Sequence, residues 1–187
     1  MHEPGPVYAF VPAHEGSRAG AVQEHLGRTW SEGFGLSVLL VDFAPANALS
    51  DAPPAMDRCS LQGANGRSIT KALESAQSSY EVVCVDLTDA PDAAANAVLS
   101  MAHSVFMVSD SGRESLDTAR ETAERLRPLK LNDRLALLLR RTPGGLRPDL
   151  AEDLAGAPVC GLVETSEQLD RLARWLALPQ PAFAVTA

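Results

Sequence analysis

Six apolar runs, separated by segments with helical spacing, constrain the fold of this chain more than any other feature. The runs occupy residues 7–13, 36–43, 80–87, 104–110, 134–142 and 157–164. Most are continuously apolar, which is typical of strands buried on both faces of a parallel sheet. Helical spacing is found at residues 18–32, 66–78, 90–103, 112–128, 148–155 and 166–177.

This alternation predicts an α/β fold with an open, mostly parallel sheet of six or seven strands and helices on both faces. A chain of 187 residues suits one domain with a full core, so we expect a single domain over residues 1–187 with loose ends at 1–5 and 179–187. Residues 44–64 are rich in Pro, Ala and Asp and show no clear period. They predict a long loop at the edge where such folds bind ligands.

The charge balance narrows the classes of partner. There are 16 basic and 24 acidic side chains, giving a net charge of -8, and Lys and Arg form no run. Because nucleic-acid binding needs phosphate neutralisation, this balance argues against a nucleic-acid partner. No apolar run approaches the roughly 20 residues of a membrane span, and the start lacks signal-peptide features, so we expect a cytoplasmic protein.

The stretch "PAHEGSRAG", residues 12–20, lies between the first apolar run and the first helical segment. Nucleotide-binding α/β proteins carry their phosphate-binding loop at this place. The stretch contains no lysine, and the later runs 36–43 and 80–87 each contribute one aspartate near their ends. The candidate nucleotide- or anion-binding residues are therefore His14, Glu15, Gly16, Ser17, Arg18, Gly20, Asp42 and Asp86.

Three longer stretches resemble the ParA/MinD-type P-loop ATPases with a deviant Walker motif, a superfamily that includes bacterial tyrosine autokinases and pilus- and flagellum-positioning ATPases. They are "VLLVDFAPAN", "YEVVCVDLTDAP" and "SVFMVSDSGRESLDTARETAERL". The similarity runs from about residue 6 to residue 177 and places Asp86 at the Walker B carboxylate. It implies a P-loop NTPase-like fold, ATP or ADP with magnesium as ligand, and dimers formed across the nucleotide face.

The loop departs from the K-G-G-x-G-K-T pattern of that family. A gapless alignment anchored on Leu26 matches His14 to the signature lysine, Glu15, Gly16 and Arg18 to the three glycines, Ala19 to the loop lysine, and Gly20 to the magnesium-binding Ser/Thr. The tyrosine-kinase pattern P-G-E-G-K-S instead matches Ser17 to the lysine. Neither alignment restores a lysine, so the resemblance implies a degenerate Walker A loop with at most weak binding of ATP or ADP with magnesium, and no certain cofactor.

The favoured interpretation is a pseudo-ATPase that acts through protein association, as a homodimer or with an unidentified protein partner. The alternative is an active deviant ATPase or a tyrosine-autokinase-like enzyme that uses Arg18 in place of the missing lysine. An autokinase needs a C-terminal tyrosine cluster, which the tail 179–187 lacks. A dinucleotide-binding domain is weaker still, because Gly16 and Gly20 do not complete G-x-G-x-x-G.

Simpler roles also remain open for several of these residues. Asp42 and Asp86 at strand ends are typical caps of a following turn or helix. His14 is most simply a solvated loop residue, and with no second histidine or cysteine beside it we expect no metal site. The apolar stripe of the last helix, within residues 166–177, predicts packing against the sheet, so any peripheral membrane contact would come through a partner.

Overall fold

The computed structural model describes residues 4–45, 56–131 and 133–177. The strands in these ranges are β1 (Val7–Pro12), β2 (Val38–Asp42), β3 (Met56–Ser60), β4 (Val82–Asp86), β5 (Ser104–Asp110), β6 (Leu135–Arg140) and β7 (Val159–Leu162). The α-helices are α1 (Ala19–Arg28), α2 (Gly66–Ser79), α3 (Asp92–Met101), α4 (Arg113–Leu126), α5 (Pro148–Ala155) and α6 (Ser166–Leu176).

All of these strands join one sheet, in the order β3-β2-β4-β1-β5-β6-β7, and every pairing is parallel. Helices α1 and α6 cover one face, and α2, α3, α4 and α5 cover the other. Alternate residues of β1 divide between the two layers: Tyr8 and Phe10 pack towards α1, whereas Val7 and Ala9 pack on the opposite side. The predicted open α/β fold is confirmed.

Strand β3 corrects the expectation of one long loop over residues 44–64. It pairs in parallel register with β2, from Val38 opposite Met56 to Asp42 opposite Ser60. Its sequence, "MDRCS", contains two charged residues, so it lacks the apolar run that marks the other strands. An edge strand tolerates this composition because only part of it is buried. Residues 46–55 of the expected loop lie outside the described residues.

Other predictions concern the two ends of the chain. Residues 1–3 and 178–187 lie outside the described part, while Gly5 is buried and exchanges hydrogen bonds with Gln77 of α2. The α6 stripe of Leu169, Leu172 and Leu176 is buried against the sheet, as predicted. Within the described ranges, none of the helices has the length and apolar character required to cross a bilayer.

The parallel arrangement determines where a site can form. The carboxyl ends of all the strands meet at one edge of the sheet, and we call this the carboxyl edge. Strand β1 lies between β4 and β5, where the chain changes its direction of progress across the sheet. Open α/β sheets bind ligands outside the carboxyl ends of their strands at such a switch point. The loop that follows β1 occupies this place.

Candidate functional site

The loop after β1 is closed by its own histidine. A short turn of 3-10 helix spans Glu15–Ser17 and leads, through Arg18 in the left-handed region (φ 59°), into α1. The Nδ1 atom of His14 accepts a hydrogen bond from the Gly16 amide at 3.2 Å. The carbonyl oxygen of His14 accepts another from the Ser17 amide at 3.0 Å. Two amides of the candidate phosphate loop therefore already have partners within the loop.

A second set of contacts holds the same loop from outside. Arg140, at the end of β6, donates to both carboxylate oxygens of Asp110, at the end of β5, with distances of 2.5 and 2.9 Å. Its Nη2 atom also donates to the carbonyl oxygen of Gly16 at 3.0 Å. We call His14, Gly16, Asp110 and Arg140 the loop clamp. The hydrogen bonds from Arg140 hold the pKa of Asp110 below its usual value.

His14 is part of this clamp and not the solvated loop residue that the sequence suggested. Because Nδ1 accepts a hydrogen bond, a neutral imidazole ring carries its proton on Nε2. Nε2 lies 3.7 Å from Oδ2 of Asp110, and the side chain is largely covered. Arg18 remains exposed, whereas Ser17, which one alignment matches to the missing lysine, is buried.

Gly20 and Asp86 meet at the start of α1. A Cβ atom at residue 20 would lie 2.6 Å from Oδ2 of Asp86, too close for any real contact. The other oxygen, Oδ1, accepts hydrogen bonds from the amide (3.0 Å) and hydroxyl (2.7 Å) of Thr88, which is the turn-capping role that strand-end aspartates often have. Burial raises the pKa of Asp86, and the bonds from Thr88 offset part of that rise.

Asp42 pairs with a residue that sequence reasoning missed. Arg58 lies on the neighbouring strand β3, and its Nε atom is 3.4 Å from Oδ2 of Asp42. The same guanidinium donates through Nη2 to Oε2 of Glu24 on α1 at 3.1 Å. Burial raises the pKa of Asp42 above its usual value, and the positive charge of Arg58 offsets part of that shift. We call Glu24, Asp42 and Asp86 the carboxylate cluster.

Gln23 braces the same region from α1. It is fully buried, and its side-chain amide donates to the carbonyl oxygens of Val41 (3.1 Å) and Cys84 (2.9 Å). On the adjacent strands β2 and β4, Val41 directly precedes Asp42, and Cys84 lies two residues before Asp86. Gln23 lies in a predicted helical segment, and nothing in the local sequence indicated that its side chain would bond to two strands.

The eight candidate residues thus all lie at the carboxyl edge, in two groups. Residues 14–18 belong with the loop clamp, whereas Asp42 and Asp86 belong to the carboxylate cluster and Gly20 lies against Asp86. Across residues 4–45, 56–131 and 133–177, no group of three His, Cys, Asp or Glu side chains is arranged to hold a metal ion. Arg58, Asp110 and Arg140 complete the site, although the sequence did not single them out.

The comparisons with known proteins identify the fold. No protein-family model matches the sequence, and no curated protein matches it either. Among solved structures, the MinD cell division protein of Aquifex aeolicus superimposes with a TM-score of 0.75 at 14% identity, covering 95% of this chain and 99% of MinD. A ParA family ATPase from Chlorobium tepidum TLS gives 0.71 at 16% identity, covering 94% of this chain and 93% of the ATPase.

A McdA variant from Cyanothece, solved in complex with ATP, gives a TM-score of 0.69 at 10% identity, covering 97% of this chain and all of the McdA chain (100%). At such identities the likeness concerns the fold alone. The chain has the fold of the ParA/MinD-type ATPases, and the resemblance drawn from its sequence is confirmed at that level.

Proposed function

We propose that this chain is a ParA/MinD-like protein that keeps the fold for protein association and does not hydrolyse ATP. The loop clamp is the observation that carries the proposal. In P-loop enzymes, backbone amides of the loop cradle the phosphates, and a lysine reaches the β and γ oxygens. Here the amides of Gly16 and Ser17 are bonded to His14, and residues 12–20 contain no lysine.

The magnesium side of the site supports the same proposal. A P-loop enzyme holds magnesium with a hydroxyl at the start of its first helix and a nearby carboxylate. In the gapless alignment the matching residue is Gly20, which has no hydroxyl, and Asp86 fills the space where a side chain would begin. A guanidinium lies beside Asp42. These residues do not fit a magnesium nucleotide held in the manner of the P-loop enzymes.

We propose a second copy of the chain as the first partner. At the carboxyl edge, Asp42, Asp86 and the exposed Asp89 form an acidic part over β2 and β4, while the exposed Arg18 and Arg141 form a basic part over β1 and β6 that also contains the exposed Glu15. A two-fold axis through this edge would place the acidic part of one copy against the basic part of the other. We also propose that the protein is cytoplasmic and that any membrane contact is made through a further protein partner.

Calorimetry with ATP and with ADP, each with magnesium and at high protein concentration, tests the absence of a strong nucleotide site. We expect no micromolar binding, in contrast to a MinD protein measured in parallel. Micromolar binding would overturn the proposal. Hydrolysis that is lost in Arg18→Ala would establish the deviant-ATPase alternative instead.

Sedimentation with and without nucleotide tests the association. We expect the same dimer in both conditions. Asp89→Arg should weaken it by about tenfold or more, because like charges would then face each other. Adding Arg141→Asp in the same chain should restore it, and Glu121→Arg on the exposed side of α4 is the control with equal charge change. A monomer in every condition would contradict the dimer.

A further inference from the structure

Arg58 has an unusual position for an arginine on an edge strand. Its side chain is only 9% exposed, and it lies between α1 and β2 with Glu24 on one side and Asp42 on the other. Burial raises the pKa of Asp86, and the charge of Arg58 offsets a small part of that rise, so Arg58 acts on all three members of the carboxylate cluster. An arginine that is desolvated to this degree, and that faces several carboxylates, is an internal charge partner and not a solvated edge residue.

The surroundings of Asp42 show why such a charge is needed. The groups that act on this carboxylate are Arg58 from β3, Glu24 from α1, Asp86 from β4, and Asp89 from the turn after β4, and its own charge acts in turn on the thiol of Cys59. Arg58 is the positive group among them. Without it, the folded chain would hold partly buried carboxylates that repel one another and have lost much of their hydration.

We propose that Arg58 is a built-in counter-cation of the carboxylate cluster, holding the ends of β2 and β4 in their folded arrangement with no bound cation. This inference rests on the proposed function in one respect only, namely that no magnesium nucleotide binds beside the carboxylate cluster. The pairing of Arg58 with the cluster rests on the contacts described above. In this arrangement, edge strand β3 brings one guanidinium to the carboxyl end of the neighbouring strand β2.

The chain offers a matched control in Arg28. The Nη2 atom of Arg28 contacts Oε1 of Glu24 at 3.0 Å, and that of Arg58 contacts Oε2 of the same carboxylate at 3.1 Å. The side chain of Arg28 is 48% exposed, and its contact is an ordinary i,i+4 surface pair. Arg28→Gln therefore removes the same charge from the same carboxylate without the burial and without the contact to Asp42.

The first experiment compares urea unfolding of Arg58→Gln and Arg28→Gln near neutral pH. We expect the unfolding equilibrium constant to rise on the order of 100-fold for Arg58→Gln, because a buried charge loses its partner. For Arg28→Gln we expect a change of about twofold. Equal effects in the two variants would overturn the proposal.

The second experiment separates charge compensation from simple packing. The loss in Arg58→Gln should shrink as the pH falls from about 7 to about 5, since Asp42 takes up a proton more readily once Arg58 is gone. Arg58→Lys should recover part of the stability. Adding Asp42→Asn to Arg58→Gln should recover part of it as well, because the uncompensated charge is removed.

A loss that is independent of pH and unchanged by Asp42→Asn would overturn the counter-cation role. If Arg58→Gln alone does not fold, the double variant is compared with Asp42→Asn. A double variant that also fails to fold would contradict the proposal. None of these measurements involves nucleotide, so their failure is distinct from micromolar ATP binding, which would instead overturn the proposed function.

Discussion

Arg58 and Arg140 each pair with an aspartate, at the two sides of the carboxyl edge, but the pKa values of the two aspartates shift in opposite directions. Each guanidinium pairs with an aspartate at the end of a neighbouring strand, Asp42 of β2 or Asp110 of β5. The pKa of Asp110 lies below its usual value, whereas the pKa of Asp42 lies above it. Pairing with arginine alone therefore does not decide whether a buried aspartate favours its charged form.

The difference arises from hydrogen-bond geometry and neighbouring charge. Arg140 makes two hydrogen bonds to Asp110, and these stabilise the charged form of the carboxylate. Arg58 approaches Asp42 at 3.4 Å as an ion pair, while Asp86, Asp89 and Glu24 add repulsion. Burial then outweighs the attraction at Asp42, and the bidentate contact outweighs burial at Asp110.

The largest expected effect on stability comes from comparing Arg58→Gln with Arg140→Gln. We expect the free energy of unfolding to fall by about 3 kcal/mol for Arg58→Gln, where partly buried carboxylates are left without their partner. For Arg140→Gln we expect about 1–2 kcal/mol, because the side chain is 25% exposed and water can reach Asp110. Urea denaturation measures both values. A larger loss for Arg140→Gln would reverse our ranking of the two sides.

Gly20→Ser tests how closely the start of α1 packs against Asp86. The new Cβ atom would collide with Oδ2 of Asp86, so we expect a loss of about 1–3 kcal/mol, measured as a lower midpoint of thermal or urea unfolding. Gly66→Ser at the start of α2 is the control, because a Cβ atom there has ordinary contact distances of 3.7 Å or more. If Gly20→Ser unfolds like the wild type, Asp86 can move away at little cost.

The smallest expected effect is a difference in pH dependence between Asp110→Asn and Asp42→Asn. Asp110 has a lowered pKa, so the stability it contributes is present above its ordinary pKa and is lost as the pH falls through the folded value. Asp42 has a raised pKa, so its contribution is present below its ordinary pKa and is lost as the pH rises through the folded value.

As the pH falls from about 7 to about 3, the stability advantage of the wild type over Asp110→Asn should therefore shrink by about 1 kcal/mol, while its stability relative to Asp42→Asn should rise by a similar or smaller amount. Unfolding midpoints across this range measure both slopes. Slopes of the same sign would contradict the contrast between the two sides.

The sequence predicted most of the architecture because buried parallel strands and amphipathic helices leave strong periodic signals. Predicted strand 104–110 coincides with β5, and predicted helix 148–155 coincides with α5. Strand β3 was missed for a physical reason: as an edge strand it carries Asp57 and Arg58, which interrupt any apolar pattern.

The contacts of the candidate site were less accessible to sequence reasoning. Asp110 and Arg140 lay at or within predicted strands, yet nothing local shows that Arg140 reaches Gly16, 124 positions away in the chain. His14 was singled out by alignment alone, and its two hydrogen bonds to the loop depend on the backbone path after β1. The sequence singled out the candidate residues, but not the residues that pair with them.

The cross-brace made by Gln23 has a mechanical consequence. Its side-chain amide is bonded to β2 and β4 at once, so the strand ends that carry Asp42 and Asp86 are tied into one rigid unit. A change that displaces one of these strand ends must move the other or break a buried hydrogen bond. Substitutions at the two aspartates should therefore influence each other, and their effects on stability should not add.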